Sequence, residues 1–561
     1  MSLILFYKSM RRWLIILVII HLMGCVPHTP SDGGITTIAL SSDPETLNPL
    51  FATGTNSSAV IYFLYPDLVE YDFNETTGRD TILPSLAKSW TISDDHSTLT
   101  YHLHTHAHWH DGKKITAQDF AYTYRLCFDP QIGSARRTRI DIVQTRDDGS
   151  IDWENVIRTP DDSTIVFYFK KNTPRHRMTE WAQQTPVPKH VLDTIPSSRL
   201  RTSWFNQKPV SGKHFTLERW ERKQNLILKR NSEWTIPGKA HLDQIVFRII
   251  PDMTTRLIEL QSGRVDVVEG INPSDAAELC KQSRFRIERQ SGRRVEFVGW
   301  NHIDPSSYIS SGTIKPHKLF SDQQVRKALS YAIHRAEITQ SWCGEYGQTA
   351  SGPVSPVFLW AYNDQLPEMT YDPDSARIIL QSAGWTDHDG DGILDKNGKP
   401  FQFTLTTNTG NPRREFIAQK IQSDLLRVGI KIEIQMLETA AFNAALRERK
   451  LDAFITGYSV NMSLDLQPQF GSDLKKNTFN ASGYQSAEAD SLLNVIANAA
   501  DRYSVADAYR ALQSVIYRDQ PVTFLFWYDN LTVFNNRVRG THADIYSPYH
   551  RFWEWYIEEN P

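Results

Sequence analysis

Apolar side chains, interrupted by Thr105, occupy every second position from Tyr101 to Trp109, and histidines occupy the positions between and after them. The histidines are His102, His104, His106, His108 and His110. Alternation with a period of two gives an extended segment one apolar face and one polar face. A turn-rich stretch at residues 93–97 separates this run from an earlier extended run. We therefore predict two strands joined by a turn, with one face of the second strand carrying the histidines.

A helix is predicted to follow these strands. Asp111-Gly112 turns the chain, and Thr116 with Asp119 three positions later forms a variant of the capping box. Ile115 and Phe120 stand at the spacing of a hydrophobic staple around that cap. Residues 83–129 are therefore predicted to fold as strand, turn, strand, loop and helix.

Helix signals and strand patterns alternate from residue 321 onward. Ser321 with Gln324 predicts one helix start as a capping box. Asp372 and Asn411, each followed by proline, predict two more. The predicted strands of this region are 430–436, 451–457 and 521–528. Because helices alternate with strands, an α/β lobe is expected here.

Overall charge argues against a nucleic-acid partner. The 561 residues include 61 Lys and Arg against 64 Asp and Glu, a formal net charge of -3. Binding to nucleic acid needs a concentrated basic face, which this balance does not indicate. The sequence also contains no H-E-x-x-H, no G-x-S-x-G and no G-x-x-x-x-G-K motif. We therefore expect a protein that is not an enzyme and needs no cofactor.

The N-terminus has the features of an export signal. Basic residues precede an apolar run at residues 13–20, and Leu22-Met23-Gly24-Cys25 looks like a lipobox. We predict a signal peptide at residues 1–24, a lipidated Cys25 and a flexible tether at residues 25–34. The segment from Met10 to Cys25 alone makes a complete signal of this kind. The alternative is a short anchor helix followed by an ordinary buried thiol.

Three cysteines remain after Cys25. They are Cys127, Cys280 and Cys343. Export permits one disulfide among them, which would leave one thiol free, and the alternative is three buried free thiols. The sequence does not choose between these.

The segment 83–129 carries a family resemblance. Its pattern "LA.SW..S.D..T.TY.L...A.WHDG...TA.DF" resembles the signature of the bacterial family 5 extracellular solute-binding proteins, the peptide- and nickel-binding receptors of ABC importers. His104 departs from the Arg or Lys that is usual there. Further blocks follow in order, including the opening "DP..L.P" loop at residues 43–49 and "G.vDv" at residues 263–267.

The resemblance implies an α/β fold of the periplasmic-binding-protein type (type II, cluster C), with two main lobes, a hinge and an extra lobe. The implied lobe I is discontinuous and comprises residues 35–80, 208–298 and 520–561. Lobe II is then 81–207 and lobe III is 299–519.

The function implied is that of a monomeric lipoprotein, anchored to a membrane of the cell envelope outside the cytoplasm. It would capture an oligopeptide or similar small solute between two lobes and deliver it to an ABC permease complex in the inner membrane. One alternative is a peptide-sensing signalling receptor on the same fold. A second is a nickel- or zinc-binding protein or hydrolase.

The resemblance also implies ligand-binding residues. In peptide-binding members an aspartate after the strand that ends near Gly457 captures the peptide's amino group, but this chain has no acid at the aligned position. Asp465 is the nearest acid and could substitute, or the ligand could be a blocked peptide, a sugar or another solute. The expected ligand-binding residues are Tyr458, Ser459, Asn461, Asp465, Trp300, Asn301, Trp360 and Trp527.

Two motifs could bind metal. Residues 387–395 resemble an EF-hand loop, with Gly392 at its sharp turn and Gly398 where a bidentate Glu is usual. The expected calcium ligands are Asp387, Asp389, Asp391, the carbonyl of Ile393, and Asp395; the alternative is a plain polar turn. The alternating histidines could hold Zn²⁺ or Ni²⁺ on one strand face, against a solvated face as the alternative.

Overall fold

The computed structural model of the protein describes residues 32–137 and 140–558. The predicted signal peptide and Cys25 lie outside these residues. None of the helices in the described ranges has the length and apolar character needed to span a bilayer.

The described residues form α-helices, β-strands and six short 3₁₀ helices. The strands are β1 Ile35–Leu40, β2 Val69–Asn74, β3 Arg79–Pro84, β4 Ala87–Ile92, β5 Thr98–Leu103, β6 Ile157–Asp161, β7 Thr164–Tyr168, β8 Phe215–Glu221, β9 Asn225–Arg230, β10 Gln244–Ile249, β11 Val267–Glu269, β12 Phe285–Trp300, β13 Gly347–Thr349, β14 Asp395–Lys396, β15 Lys399–Pro400, β16 Gln402–Asn408, β17 Lys431–Leu437, β18 Ala453–Ser459, β19 Val522–Asn535, β20 Val538–Arg539 and β21 Tyr556–Ile557. The α-helices are α1 Thr55–Leu64, α2 Ala117–Phe128, α3 Arg175–Trp181, α4 Lys189–Leu192, α5 Met253–Gln261, α6 Pro273–Leu279, α7 Pro305–Ser311, α8 Gln323–Ala332, α9 Arg335–Cys343, α10 Pro373–Ser382, α11 Pro412–Leu426, α12 Thr439–Arg447, α13 Gln467–Phe470, α14 Ala487–Asn498 and α15 Ala506–Asp519. The 3₁₀ helices are Trp153–Asn155, Ser197–Thr202, Trp204–Asn206, Gly344–Tyr346, Arg502–Val505 and Phe552–Glu554.

One large mixed sheet runs through the molecule in the order β17-β16-β18-β12-β19-β11-β1-β10-β9-β8, with β13 added beside β19. Its centre is the antiparallel pair of β12, with 16 residues, and β19, with 14 residues. On β12, the partner β18 covers residues 294–300, whereas on β19 the partner β11 covers residues 532–534. The two strands β12 and β19 therefore join two halves of the sheet. The first half continues through β11, β1, β10, β9 and β8, and the second half continues through β18, β16 and β17.

The register of this central pair shifts between Gln290 and Arg294, where the two halves meet. A register shift bends and twists the bulged strand. Arg293 at this shift donates from one guanidinium nitrogen to the Val460 carbonyl (3.0 Å) and from the other to the Ile545 carbonyl (2.8 Å). Because β12 and β19 each run through both halves, the sheet gives no single boundary between lobes. The lobe ranges expected from the sequence therefore stay a prediction.

A second sheet, of four strands in the order β4-β5-β7-β6, packs with α2 in the first half. Strand β5 ends at Leu103, so the prediction of an extended run to residue 110 is wrong. The chain turns after His104, and the Ile115 amide donates to the Ala107 carbonyl across a loop. Ala107 and Trp109 are nevertheless buried, because the loop folds back on the core. Burial from a loop therefore produces the same alternation as a strand.

Most of the predicted helix caps are confirmed. The Thr116 amide donates to Asp119 Oδ2 (2.8 Å) at the start of α2. Asp372 and Asn411 cap α10 and α11 with proline at the first helical position. The capping box expected at Ser321 is wrong, since Asp322 caps α8 by accepting from the Gln324 amide (2.9 Å).

The three cysteines in the described ranges are free thiols: Cys127 and Cys343 are buried, whereas Cys280 is exposed. Burial raises the pKa of the Cys127 thiol to about 11 and that of the Cys343 thiol to about 12. Both therefore stay protonated near neutral pH and behave as packing residues.

Candidate solute-binding cleft

A cavity of about 510 Å³ lies in the first half, beside its junction with the second. Its wall is formed by the segment before and within α1, by β2, and by the C-terminal segment 546–550. Volumes of a few hundred Å³ are typical of sites that enclose small molecules. Its lining side chains include Tyr71, Tyr546 and His550.

Two tyrosines of this wall carry hydroxyl groups that have no hydrogen-bond partner within the described residues. They are Tyr71 of β2 and Tyr546, and their ring centroids lie 5.5 Å apart. Burial raises the pKa of both hydroxyls, and nearby Asp80 raises both further, so both remain protonated. A buried polar group without a partner is costly, and a bound molecule with polar atoms would satisfy these two.

A charged cluster joins the two halves next to this cavity. The Arg502 guanidinium and the Tyr503 hydroxyl both bond the Asp80 carboxylate, which lies in β3 of the first half. Arg502 also donates to the Met462 carbonyl (2.6 Å) in the loop after β18. The Asp80 and Arg502 side chains are only 12% and 9% exposed, so solvent screens their attraction little. This contact fixes the loop after β18 against the first half.

Glu180 and His176 of α3 face the same cluster. Desolvation by the surrounding protein raises the pKa of the Glu180 carboxyl, although the residue as a whole is exposed. The nearby Asp465 carboxylate raises this pKa further. A hydrogen bond with Ser463 opposes the shift and connects α3 to the loop after β18. Burial, with Arg502 second, lowers the pKa of His176 to about 4, so its imidazole is neutral at pH 7. Acidic groups from both halves therefore converge at the seam, the boundary along which the first half contacts the loop after β18.

The structure places four of the expected ligand residues on or after β18. Ser459 and Asn461 are exposed, and the Asn461 side-chain oxygen accepts from the Asp465 amide (3.0 Å). Asp465 is half-buried and accepts from the Gln467 amide (3.0 Å) at the start of α13. Tyr458 lines a separate cavity of about 270 Å³, and its hydroxyl has no partner within the described ranges.

The expected tryptophans occupy different positions. The Trp360 ring lies edge-on to Tyr503, with centroids 4.8 Å apart, so it supports the charged cluster from behind. Trp527 lines a cavity of about 380 Å³ at the register shift, and its indole N–H has no partner among the described residues.

Trp300 and Asn301 lie inside the second half. Both are 0% exposed. The Trp300 indole donates to the Thr523 hydroxyl (2.9 Å), and the Asn301 side chain donates to the carbonyls of Arg449 (3.1 Å) and Leu451 (2.9 Å). Both side chains are thus hydrogen-bonded inside the protein: Trp300 packs in the core, and Asn301 holds the loop at residues 449–451 in place.

The acidic loop at residues 387–395 contains three exposed carboxylates within 4.8 Å of one another, those of Asp387, Asp389 and Asp391. Gly392 has φ +85°, as a sharp turn at this position requires. Asp395 accepts from the His388 amide (3.0 Å), and the other three carboxylates also accept from backbone amides within the loop. Calcium binding here stays a prediction.

The alternating histidines do not share one face, so that prediction is wrong. His102 lies in β5, whereas the later four follow the end of that strand. The rings of His104 and His106 lie 5.1 Å apart, but His110 accepts from the Ser211 amide (2.9 Å) elsewhere. The turn after Leu103 separates them.

Several residues of the site carry no sequence signal. Asp80 and Arg502 are 422 positions apart, and Tyr71 and Tyr546 are also distant in the chain. Only the three-dimensional pairing of the halves brings them together. The family resemblance at residues 457–465 is the one sequence signal that leads to the correct side of the seam.

Two sheet halves joined by a pair of strands, with unpartnered polar groups lining a cavity beside the junction, define a class of protein that encloses a small solute. The family model described as "Bacterial extracellular solute-binding proteins, family 5 Middle" matches residues 81–480. The chain therefore belongs to this family.

Individual relatives agree with this assignment. The chain is 27% identical over 516 residues to the oligopeptide-binding protein AppA of Bacillus subtilis, covering 91% of this chain and 89% of AppA. The structure of AppA in complex with a nonapeptide superposes with a TM-score of 0.73 at 26% identity, covering 95% of this chain and 100% of that one. The heme-binding protein A of Haemophilus influenzae is 26% identical over 494 residues, covering 84% of this chain and 83% of that protein. Relatives of similar identity thus carry names with different ligands.

Proposed function

We propose that this protein is an extracytoplasmic lipoprotein that captures an oligopeptide and delivers it to an ABC permease complex in the inner membrane. The observation that carries the proposal is the cavity with the unpartnered hydroxyls of Tyr71 and Tyr546 at the junction of the two halves, among the residues described. The likeness to AppA, whose structure contains a nonapeptide, supports a peptide as the solute. The protein acts as a monomer and performs no chemistry on the peptide.

The peptide's amino end is assigned to the acidic side of the seam. The Asp465 carboxylate adds to the desolvation that raises the pKa of Glu180, and the positive charge of an amino group would relieve the repulsion between the two acids. Asp80 is less suited, because Arg502 already neutralises it. Glu180 and Asp465 would thus take the role of the family's aspartate, which this chain lacks at the aligned position.

Isothermal titration with synthetic nonapeptides tests the proposal. The variant Tyr71→Phe/Tyr546→Phe removes only the two hydroxyls, and we expect it to bind at least about fivefold more weakly, since each lost hydrogen bond contributes about 0.5–1.5 kcal/mol. Tyr168→Phe is the matched control, because the Tyr168 ring stacks with Arg158 far from the cavity. Equal affinity of the double variant and the control would contradict the proposed site.

Uptake measurements separate transport from signalling on the same fold. Deleting the gene should abolish accumulation of a labelled peptide that the purified protein binds. Normal accumulation in the deletion strain, with a changed transcriptional response to the peptide, would instead identify a sensing receptor.

Lipid anchoring is tested at Cys25. We expect the natural protein to incorporate labelled palmitate and to remain with membranes, whereas Cys25→Ser should be released as a soluble protein. Release of both forms from membranes would contradict the anchor.

A further inference from the structure

Three side chains that could bind a metal converge beside the cavity that Tyr71 and Tyr546 line: Asp72 of β2, Asp544 and His550. One donor atom from each lies within 4.8 Å of the other two. His550 Nε2 is 3.6 Å from Asp544 Oδ2 and 3.8 Å from Asp72 Oδ1. These separations are too long for hydrogen bonds, so the three groups point at a common centre without bonding each other.

The backbone holds Asp544 in place. Its Oδ1 accepts from the amides of Tyr546 (2.9 Å) and Ser547 (3.0 Å). The other oxygen, Oδ2, is buried and has no hydrogen-bond donor within the described residues. One oxygen is thus fixed by two bonds, while the second is directed at the centre of the cluster. Such supporting bonds orient metal ligands in known sites.

His550 provides the second and independent observation. His550 is almost fully buried, with only 4% of the residue exposed. Its Nε2 faces the two carboxylates and has no hydrogen-bond partner within the described ranges. A buried imidazole nitrogen without a partner is costly, and a ligand at the centre would remove that cost.

The third ligand is partly neutralised. Arg551 donates to Asp72 Oδ2 (3.1 Å), while Asp72 Oδ1 accepts from the Phe73 amide (3.2 Å) and faces His550. Two carboxylates, one guanidinium and a neutral imidazole sum to one negative charge. A divalent cation would therefore be attracted, although Arg551 weakens that attraction.

Ligand spacing and chemistry select the type of ion. Zn²⁺ bonds imidazole nitrogen at about 2.0–2.1 Å and carboxylate oxygen at about 2.0–2.2 Å, so neighbouring donors of a tetrahedral site lie about 3.3 Å apart. The separations of 3.6 and 3.8 Å need only a small contraction to reach that value. Calcium and magnesium favour all-oxygen sets of six or more ligands, which this cluster does not provide.

We propose that Asp72, Asp544 and His550 bind a single Zn²⁺ ion, with one coordination position open toward the cleft. His550 also lines the 510 Å³ cavity, so the open position could take water or a polar atom of the solute. The site does not depend on the proposed peptide function, because its three ligands come from this chain.

The competing description is a protonated His550 that forms an ion pair with both carboxylates and binds no metal. Zn²⁺ titration of the chelator-treated protein distinguishes the two. We expect one equivalent of Zn²⁺ to bind, and Asp544→Asn and His550→Gln each to weaken binding at least about tenfold. The control variant His102→Ala/His104→Ala/His106→Ala removes exposed or half-exposed imidazoles and should keep full affinity.

A measurement on the unmodified protein guards against variants that fail to fold. In a spectrum of the ¹⁵N-labelled imidazoles, Zn²⁺ should shift the Nε2 resonance of His550 at one equivalent. The proposal is overturned by an unshifted His550 resonance, by unchanged affinity in folded Asp544→Asn protein, or by loss of binding only in the triple-histidine control. Peptide binding that survives in either ligand variant would leave the proposed function intact while the metal site is judged separately.

Discussion

Replacing Lys213 by methionine should lower the free energy of unfolding, because it leaves a buried carboxylate without its cation. Lys213 is 1% exposed, and its ammonium lies 3.1 Å from Glu70 and 3.5 Å from Asp67. Burial lowers the pKa of Lys213, but Glu70 and Asp67 outweigh it, so the pKa is raised. For Glu70 burial dominates and raises the pKa, although Lys213 opposes it. Without Lys213, the carboxyl of Glu70 would be buried with no cation beside it.

The expected loss is large. Removing one partner of a buried pair destabilises a protein by about 3–5 kcal/mol. With an unfolding entropy of about 2.1 cal/mol/K per residue over the chain, this lowers Tm by about 3–4 °C. The double variant Lys213→Met/Glu70→Gln should recover most of the loss, since both charges are then gone.

The loss of stability in the Lys213→Met variant should also depend on pH. A carboxyl whose folded pKa lies above its unfolded value favours the folded state when protonated, so stability falls as pH rises from about 4.5 through the folded pKa. Every tenfold difference between the folded and unfolded acid dissociation constants of Glu70 corresponds to about 1.4 kcal/mol of unfolding free energy. Thermal unfolding at pH 5 and pH 8 measures this, with Lys208→Met, at an exposed lysine, as control. Equal losses at both pH values, or a double variant no better than the single one, would refute the reasoning.

Three further changes test other parts of the structure. Asp465→Asn and Glu180→Gln should each weaken binding of free peptides more than of N-acetylated ones by titration calorimetry; equal loss for both would exclude amine capture. Gly78→Ala should lower Tm and weaken solute binding, because Gly78 has φ +66° and an added Cβ would clash with the Leu359 amide of the other half. Calcium should raise Tm of the natural protein but not of Asp389→Asn; no effect on either would leave the acidic loop as a plain turn.

Local features of this fold could be predicted from the sequence. Asp372 and Asn411 each combine a capping side chain with a following proline, and both begin helices. The continuous apolar run after Pro521 became β19, a central strand buried on both faces over residues 522–527. These signals depend only on neighbouring residues, so they survive whatever the tertiary context is.

The site itself depends on long-range pairing. The contact of Asp80 with Arg502 requires β12 and β19 to join two halves of one sheet, and no local pattern encodes that. Trp300 shows the converse: its aromatic character suggested a ligand contact, but tertiary packing buries it completely. The histidine alternation failed for a related reason, since a loop buried Ala107 and Trp109 in the spacing of a strand.

Native mass spectrometry of the protein purified from the bacterium that produces it tests solute capture most directly. The account predicts one small molecule of peptide mass per chain, released on denaturation and replaced by an added nonapeptide at equal stoichiometry. A chain that carries no such molecule and binds none of a broad set of peptides would contradict it.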